Sequence, residues 1–145
     1  MALLGMQAVV YRNTGTYVSP TWVAISSVKD VTLQLEAATF DVSKRGNNGW
    51  RAEVATLKTA TIEGNMIWLP GDAGFEALKD AFLANGSIEL LVLDQPIATS
   101  GAQGLRATCM VTNFSRNEQL EEAITVDFTA KPTDAVNAPI WHEVA

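Results

Sequence analysis

The side chains able to do chemistry are few and scattered. His142 is the sole histidine and Cys109 the sole cysteine. A Ser-His-Asp or Cys-His relay would need His142 within hydrogen-bond reach of a nucleophile, yet "NAPIWHEVA" reads as a terminal arm, where catalysis is rare. A surface histidine that contacts another chain is the better reading. One cysteine and one histidine make no zinc ligand set, and no acidic run has the spacing of a calcium loop. No metal and no cofactor is expected. Glu118, Glu121 and Glu122 are the dense carboxylates, and they read as a solvated corner between strands. "GNNG" at Gly46 and "GAQG" at Gly101 precede no helix, so neither is a phosphate cradle. Nothing in these types and spacings supports an enzyme.

The aromatic residues offer a second possibility. Four tryptophans, Trp22, Trp50, Trp68 and Trp141, could stack on sugars, which would make the chain a carbohydrate-binding module. Trp22 and Trp68 lie inside strand-like runs and are expected in the core, where an indole buries a large area. Trp50 ends a glycine loop and Trp141 sits in the arm, so both are better candidates for contact with another chain.

The totals narrow the classes further. A chain of 145 residues with 48% hydrophobic and 18% charged side chains is an ordinary globular composition for one domain. Its formal charge is −6, and no basic run exceeds Lys44-Arg45. A protein built to grip nucleic acid gains most of its non-specific affinity from Lys and Arg on phosphates, so DNA binding is not expected. A lone Cys109 forms no internal disulfide and is expected reduced in the core. "MALLGMQAVVYR" has no basic residue before its apolar run and is too short for a signal peptide or membrane span. The expectation is a chain made in a cytoplasm, with no membrane partner, and soluble until it assembles.

The elements that must position these residues are mostly strands. Gln7–Tyr11 and Thr21–Val28 read as strands around the turn-rich "NTGTYVSP". "DVTLQLE" alternates without fault, Val31, Leu33 and Leu35 against Asp30, Thr32, Gln34 and Glu36, which means one face in a core and one outside it. Gly46-Asn47-Asn48-Gly49 is a flexible loop. The strand pattern resumes through "VATLKTATIEGNMIWL", with Gly64-Asn65 marking a bulge or tight turn. One helix, about 73–85, starts at Asp72 as N-cap, carries Phe75, Leu78, Ala81 and Phe82 on one stripe, and stops at Asn85-Gly86. "SIELLVLDQ" reads as a strand covered on both faces. The final strands are "GLRATCMVTNFSRN" and "ITVDFTAKP", the latter alternating Ile124, Val126, Phe128 and Ala130 with Thr125, Asp127, Thr129 and Lys131. The sum is a mainly β chain: a β-sandwich or partly closed barrel of about seven strands with one flanking helix. It forms a single domain over residues 1–145, with an N-terminal arm 1–5, a flexible loop 40–53 and a C-terminal arm 132–145.

In order and spacing, several pieces resemble the major tail tube proteins of long-tailed bacteriophages. They are Asp41-Val42-Ser43 followed by a basic residue, Gly49-Trp50 after a soft loop, Ala60–Ile62 in the next strand, and the ending "VTNFSRN…ITVDFTAKP". The resemblance runs from about Val28 to Pro132, and the fold it implies is shared with the tubes of contractile tails and type VI secretion. It implies a structural virion protein: hexameric rings stacked into a hollow tail tube that conducts the genome without binding it specifically. It also implies partners in the tape measure, tail terminator and distal tail proteins, and a place in the virion tail after soluble synthesis in the host bacterial cytoplasm. Ring stacking would fall to the loop 40–53, with Asp41, Ser43, Lys44, Arg45, Gly49 and Trp50, and to the arms, with Trp141 and His142. The polar faces Asp30, Thr32, Gln34, Glu36 and Thr125, Asp127, Thr129 are expected either to line the bore or to form an outer solvated face. A sugar-binding sandwich and another ring-forming virion part, from neck or baseplate, are the alternatives.

Overall fold

Period-two alternation forces long strands, and the computed structural model, which describes residues 3–133 and 137–145, has eight of them. They are β1 (Val9–Asn13), β2 (Trp22–Ala24), β3 (Val28–Asp41), β4 (Glu53–Ile67), β5 (Ser87–Leu93), β6 (Gln103–Asn117), β7 (Thr125–Pro132) and β8 (Ile140–Glu143), with helix α1 (Ala73–Leu83) between β4 and β5. All pair antiparallel in one sheet, in the order β2-β1-β5-β6-β7-β4-β3. β8 lies along β6 as well, opposite Gln103–Arg106, while β7 takes Cys109–Asn117. Of the two expected forms, a β-sandwich or a partly closed barrel, the single rolled sheet is the second, and the strand count rises from about seven to eight because part of the C-terminal arm is itself a strand.

The sheet rolls because residues near both of its ends share one core. Val10, Leu90 and Val92 from the β1–β5 side meet Ile62, Met66, Val126 and Phe128 from the β4–β7 side. Helix α1 caps that core with Phe75 and Leu78, both fully buried. Trp68 meets Phe75 edge-on at 5.0 Å between ring centroids. Closure is incomplete: among the described residues no ladder joins β2 to β3. A second, smaller cluster of Tyr11, Leu91, Leu93 and Ala102 lies on the back of β5. Two cores on opposite faces are why "LLVL" is continuous rather than alternating.

Local details follow the sequence with two exceptions. The Asp72 carboxylate accepts a hydrogen bond from the Phe75 N–H at 3.1 Å, as an N-cap should, and the helix ends at Leu83 rather than 85, with Asn85 at φ 54° just beyond. At Gly64-Asn65 there is neither turn nor bulge in β4; the register shift sits on the partner strand, between Val28 and Asp30. Glycine is needed there for room, since a Cβ on Gly64 would stand 2.6 Å from the Phe128 ring.

Candidate assembly surface

The four strands β6, β7, β4 and β3 are neighbours, and their register gathers the polar alternate residues on one face. One row across the sheet is Asp30, Asn65, Asp127 and Ser115; the next is Thr32, Glu63, Thr129 and Asn113. Gln34 and Glu36 continue it opposite Thr61 and Thr59, and Thr125 lies beside Asn117. The two sets of polar residues singled out on β3 and β7, far apart in the chain, thus share one surface. Asp30, Thr32, Asp127 and Thr129 line a shallow depression of about 390 Å³ with Glu63, Asn65 and Asn113.

Side chains on this face are tied to one another. The Asp127 carboxylate accepts from the Asn65 and Asn117 side-chain amides, each at 2.7 Å. Gln34 donates to Glu36 at 2.5 Å. The ionisable groups at these ladder positions are Asp30, Glu36, Glu63 and Asp127, against Lys131. The face is therefore hydroxyl- and amide-rich with an acidic excess. Its other side is the core, so the face has a fixed backing. Glu63, Asn65 and Asn113 belong to it although the sequence reading did not single them out; the run Thr61, Glu63, Asn65 against Ile62, Gly64, Met66 carried the signal, hidden by taking Gly64-Asn65 as a break.

This four-stranded region has two open edges among the described residues. β3 is the terminal strand of the sheet, and β6 is unpaired on its β5 side beyond Met110, where the β5 ladder stops. Exposed strand edges recruit other strands.

The connection between β3 and β4 is more ordered than its composition suggests. Pairing runs out to Asp41–Glu53, so Phe40, Asp41 and Glu53 belong to the ladder rather than the loop. Ser43 ties the base: its N–H donates to Asp41 at 2.8 Å, and its hydroxyl accepts from the Ala52 N–H at 2.8 Å. Hydrogen bonding from the Ser43 side chain, then from its backbone, holds the Asp41 carboxyl below its usual pKa of 3.8. Arg45–Asn47 make one 3-10 turn, and Asn48 and Gly49 take φ of 53° and 83°, as that composition favours. Lys44, Arg45, Gly49 and Trp50 are exposed at the tip, Trp50 to 79%.

The arms divide. Met1, Ala2 and residues 134–136 lie outside the described residues. The extended C-terminal arm is corrected at Ile140–Glu143, where Trp141 and His142 pair with Leu105 and Gly104. Glycine at 104 serves the other neighbour, since a Cβ there would run into the Val92 carbonyl of β5. His142 is half-buried, while Trp141 is 56% exposed and donates from Nε1 to Gln103 at 3.1 Å.

Other groups are committed to packing. Arg106 holds the 14–21 segment: it pairs with Glu89, donates to the Tyr17 carbonyl at 2.7 Å and lies over the Tyr17 and Trp22 rings. Arg116 covers Trp68 at 4.9 Å, so neither Trp22 nor Trp68 belongs to an open aromatic platform. Burial pushes the Cys109 thiol up to about 12. Among the described residues no group of three His, Cys, Asp or Glu could hold a metal ion, and no helix is long and apolar enough to cross a membrane.

Comparison with known proteins agrees with this architecture. The tail of an empty gene transfer agent particle, determined with C6 symmetry, superposes with a TM-score of 0.71 at 17% identity, covering 99% of this chain and 100% of that one. The SPP1 tail tube matches with a TM-score of 0.75 at 10% identity, over 98% of this chain and 80% of its own. The sheath-tube complex of the extracellular contractile injection system PVC matches at 0.66 and 8% identity, over 99% and 93%. At these identities the likeness is one of fold. A search of curated proteins gives no match. A family model described as phage tail tube protein matches residues 5–137, nearly the whole chain. With the polar-faced, open-edged sheet and its hairpin described above, this chain belongs to the phage tail tube protein family.

Proposed function

We propose that copies of this chain join head to tail, the outer edge of β3 on one against the free half of β6 on the next, and close into hexameric rings that stack as a tail tube. The observation that carries this is the four-stranded β6-β7-β4-β3 region, polar on one face and open at both edges. Its strands alternate in direction, so a β3–β6 junction is antiparallel like every other pair, and the ladder continues around the ring without a fault. A head-to-tail interface that closes leaves no free edge. Six copies, the symmetry of the gene transfer agent tail, would supply a barrel of 24 strands. At ~4.8 Å per strand and ~40° tilt its backbone diameter is roughly 48 Å, wide enough for a duplex after side chains are added.

The polar face then lines the bore. Asp30, Thr32, Gln34, Glu36, Thr125, Asp127 and Thr129 hydrate or repel a polyanion, whereas a row of cations would add affinity at every ring. DNA slides because little holds it. The hairpin tip, with Asp41, Ser43, Lys44, Arg45, Gly49 and Trp50, projects beyond the sheet and is placed to reach the next ring, and Trp141 and His142 contribute from β8. The role is structural rather than enzymatic, in the virion tail, beside the other tail proteins that start, measure and end a tube.

Negative-stain microscopy of the concentrated protein tests this reading. Hollow filaments with six-fold rings are expected. Isolated rings would favour a neck or baseplate adaptor, and dispersed monomers that bind glycans would favour the carbohydrate-binding alternative; either overturns the tube.

A further inference from the structure

Below the β4–β7 ladder the sheet has a slot. That ladder stops at Ile62–Ala130, two residues before Pro132, and β8 resumes the line of β7 along β6 without pairing to β4. The slot encloses about 890 Å³, the scale of a site that is filled by a ligand or side chains rather than isolated waters. Leu35, Leu105, Ile140 and Trp141 give it apolar walls, and Lys58 and Lys131 stand at its rim with Glu36. Neither lysine has an ion-pair partner among the described residues. At the opposite end of β6 and β7 is the corner 118–124, whose carboxylates the bore and the hairpin leave unused. There the Glu122 N–H donates to the Gln119 carbonyl at 3.3 Å, closing a turn with Leu120 and Glu121 at its tip. Leu120 is 100% exposed. Glu118 pairs with Arg116, which lies over Trp68, so the base of the corner is anchored. Glu121 and Glu122 have no ion-pair partner among the described residues.

We infer that the slot of one copy receives the Leu120 corner of a copy in the next ring, a leucine knob entering an apolar recess while Glu121 and Glu122 meet Lys58 and Lys131. The inference rests on the stacked rings proposed above and gives the stack a contact separate from the hairpin tip. Position selects this occupant first. Leu105 and Asn117 are 12 positions apart on β6, about 40 Å at ~3.3 Å per residue, so knob and recess are out of reach of each other within one chain. They meet when a second copy is displaced along those strands, as head-to-tail stacking does. Chemistry selects it next: a leucine beside two carboxylates faces apolar walls under a rim of two lysines and one glutamate. The hairpin tip, the other projecting segment, carries Lys44, Arg45 and Arg51 and would set like charges against Lys58 and Lys131, which suppresses a pairing. A single exposed leucine is ordinary on a protein surface. Leu120 differs in standing at a turn tip with its complementary recess at the other end of the same strands.

Disulfide pairing and charge exchange test it, with native Cys109 buried and out of the way. Full-length copies carrying only Leu120→Cys are mixed with copies carrying only Leu35→Cys, assembled, and oxidised. A covalent heterodimer is expected, with a pairing of Leu120→Cys and Leu83→Cys, on the exposed end of α1, as the control that stays monomeric. Glu121→Lys with Glu122→Lys, and separately Lys58→Glu with Lys131→Glu, should each lower the yield of tubes about tenfold or more, because like charges then face each other. The chain carrying all four substitutions should recover the yield, which a purely local role at either end of the strands would not produce. Leu120→Asp should give rings that fail to stack, since a charge replaces the buried leucine. Tubes that form without the heterodimer overturn the contact and leave the tube reading standing, and so does full tube yield from Leu120→Asp. Equal linkage to position 83, or a four-substitution chain no better than its parents, also overturns the contact. Wild-type protein that forms no tubes overturns the stacked-ring reading and the contact with it.

Discussion

Single residues show where composition was a sufficient guide and where it was not. Cys109 in an alternating strand reads as a packed thiol, and it is fully buried with its pKa raised by desolvation. Its folded value, about 12, lies above the ordinary 9.0, so the unfolded chain gives up the proton first. The neutral thiol favours folding below pH 9.0, and that contribution is lost as pH rises toward 12. Native protein at pH 8 should resist iodoacetamide and react at once in denaturant; rapid labelling of the folded form would contradict the burial. Gly64 is the opposite case. Glycine in a strand suggests a bulge, yet here it clears space for the Phe128 ring. Gly64→Ala should cost about 1–3 kcal/mol by overpacking, read from the denaturation midpoint, and an unchanged midpoint would refute the close approach. The ring that imposes this is 64 positions further along the chain, so no local pattern could announce it.

At the scale of elements, signals confined to a few consecutive residues were legible. Asp72 caps α1 as its position before the apolar stripe demands. Asp72→Ala should remove about 1 kcal/mol of stability and Asp72→Asn much less, by urea unfolding. Asp127 and Thr129 were legible as one face of β7, and Asp30 and Thr32 as one face of β3, but their meeting across β4 was not. The hairpin tip was read as soft throughout, whereas Ser43 ties its base and the ladder reaches Asp41. The proposed softness is then confined to Lys44–Gly49. Those amides should exchange hydrogen quickly in the monomer and at least tenfold more slowly in tubes, since a segment ordered on assembly gains protection there. Equal protection in both states would remove the tip from the stacking contact.

For the whole molecule, the decisive quantity is the sign of charge on the polar face. Asp30, Glu36, Glu63 and Asp127 against Lys131 make it weakly repulsive to phosphate. Asp127 is already bonded to Asn65 and Asn117, so Glu36→Lys and Glu63→Lys probe charge with less structural cost. Particles carrying both substitutions should keep intact tubes and eject DNA more slowly, because each new phosphate contact repeats at every ring. Ejection at the unaltered rate would move this face from the bore to the outside.

By itself the sequence determined the strands, their two-faced character, the helix with its cap and the scarcity of catalytic groups, because period, capping and composition are properties of neighbouring residues. Only the tertiary structure decided that β3 and β7 share β4, that eight strands form one rolled sheet, and that Ile140–Glu143 docks on β6 to leave a slot beside β4. Every strand offers the same backbone donors and acceptors, so which edges meet is settled by long-range packing around Phe75 and Phe128, and a local pattern does not contain that choice.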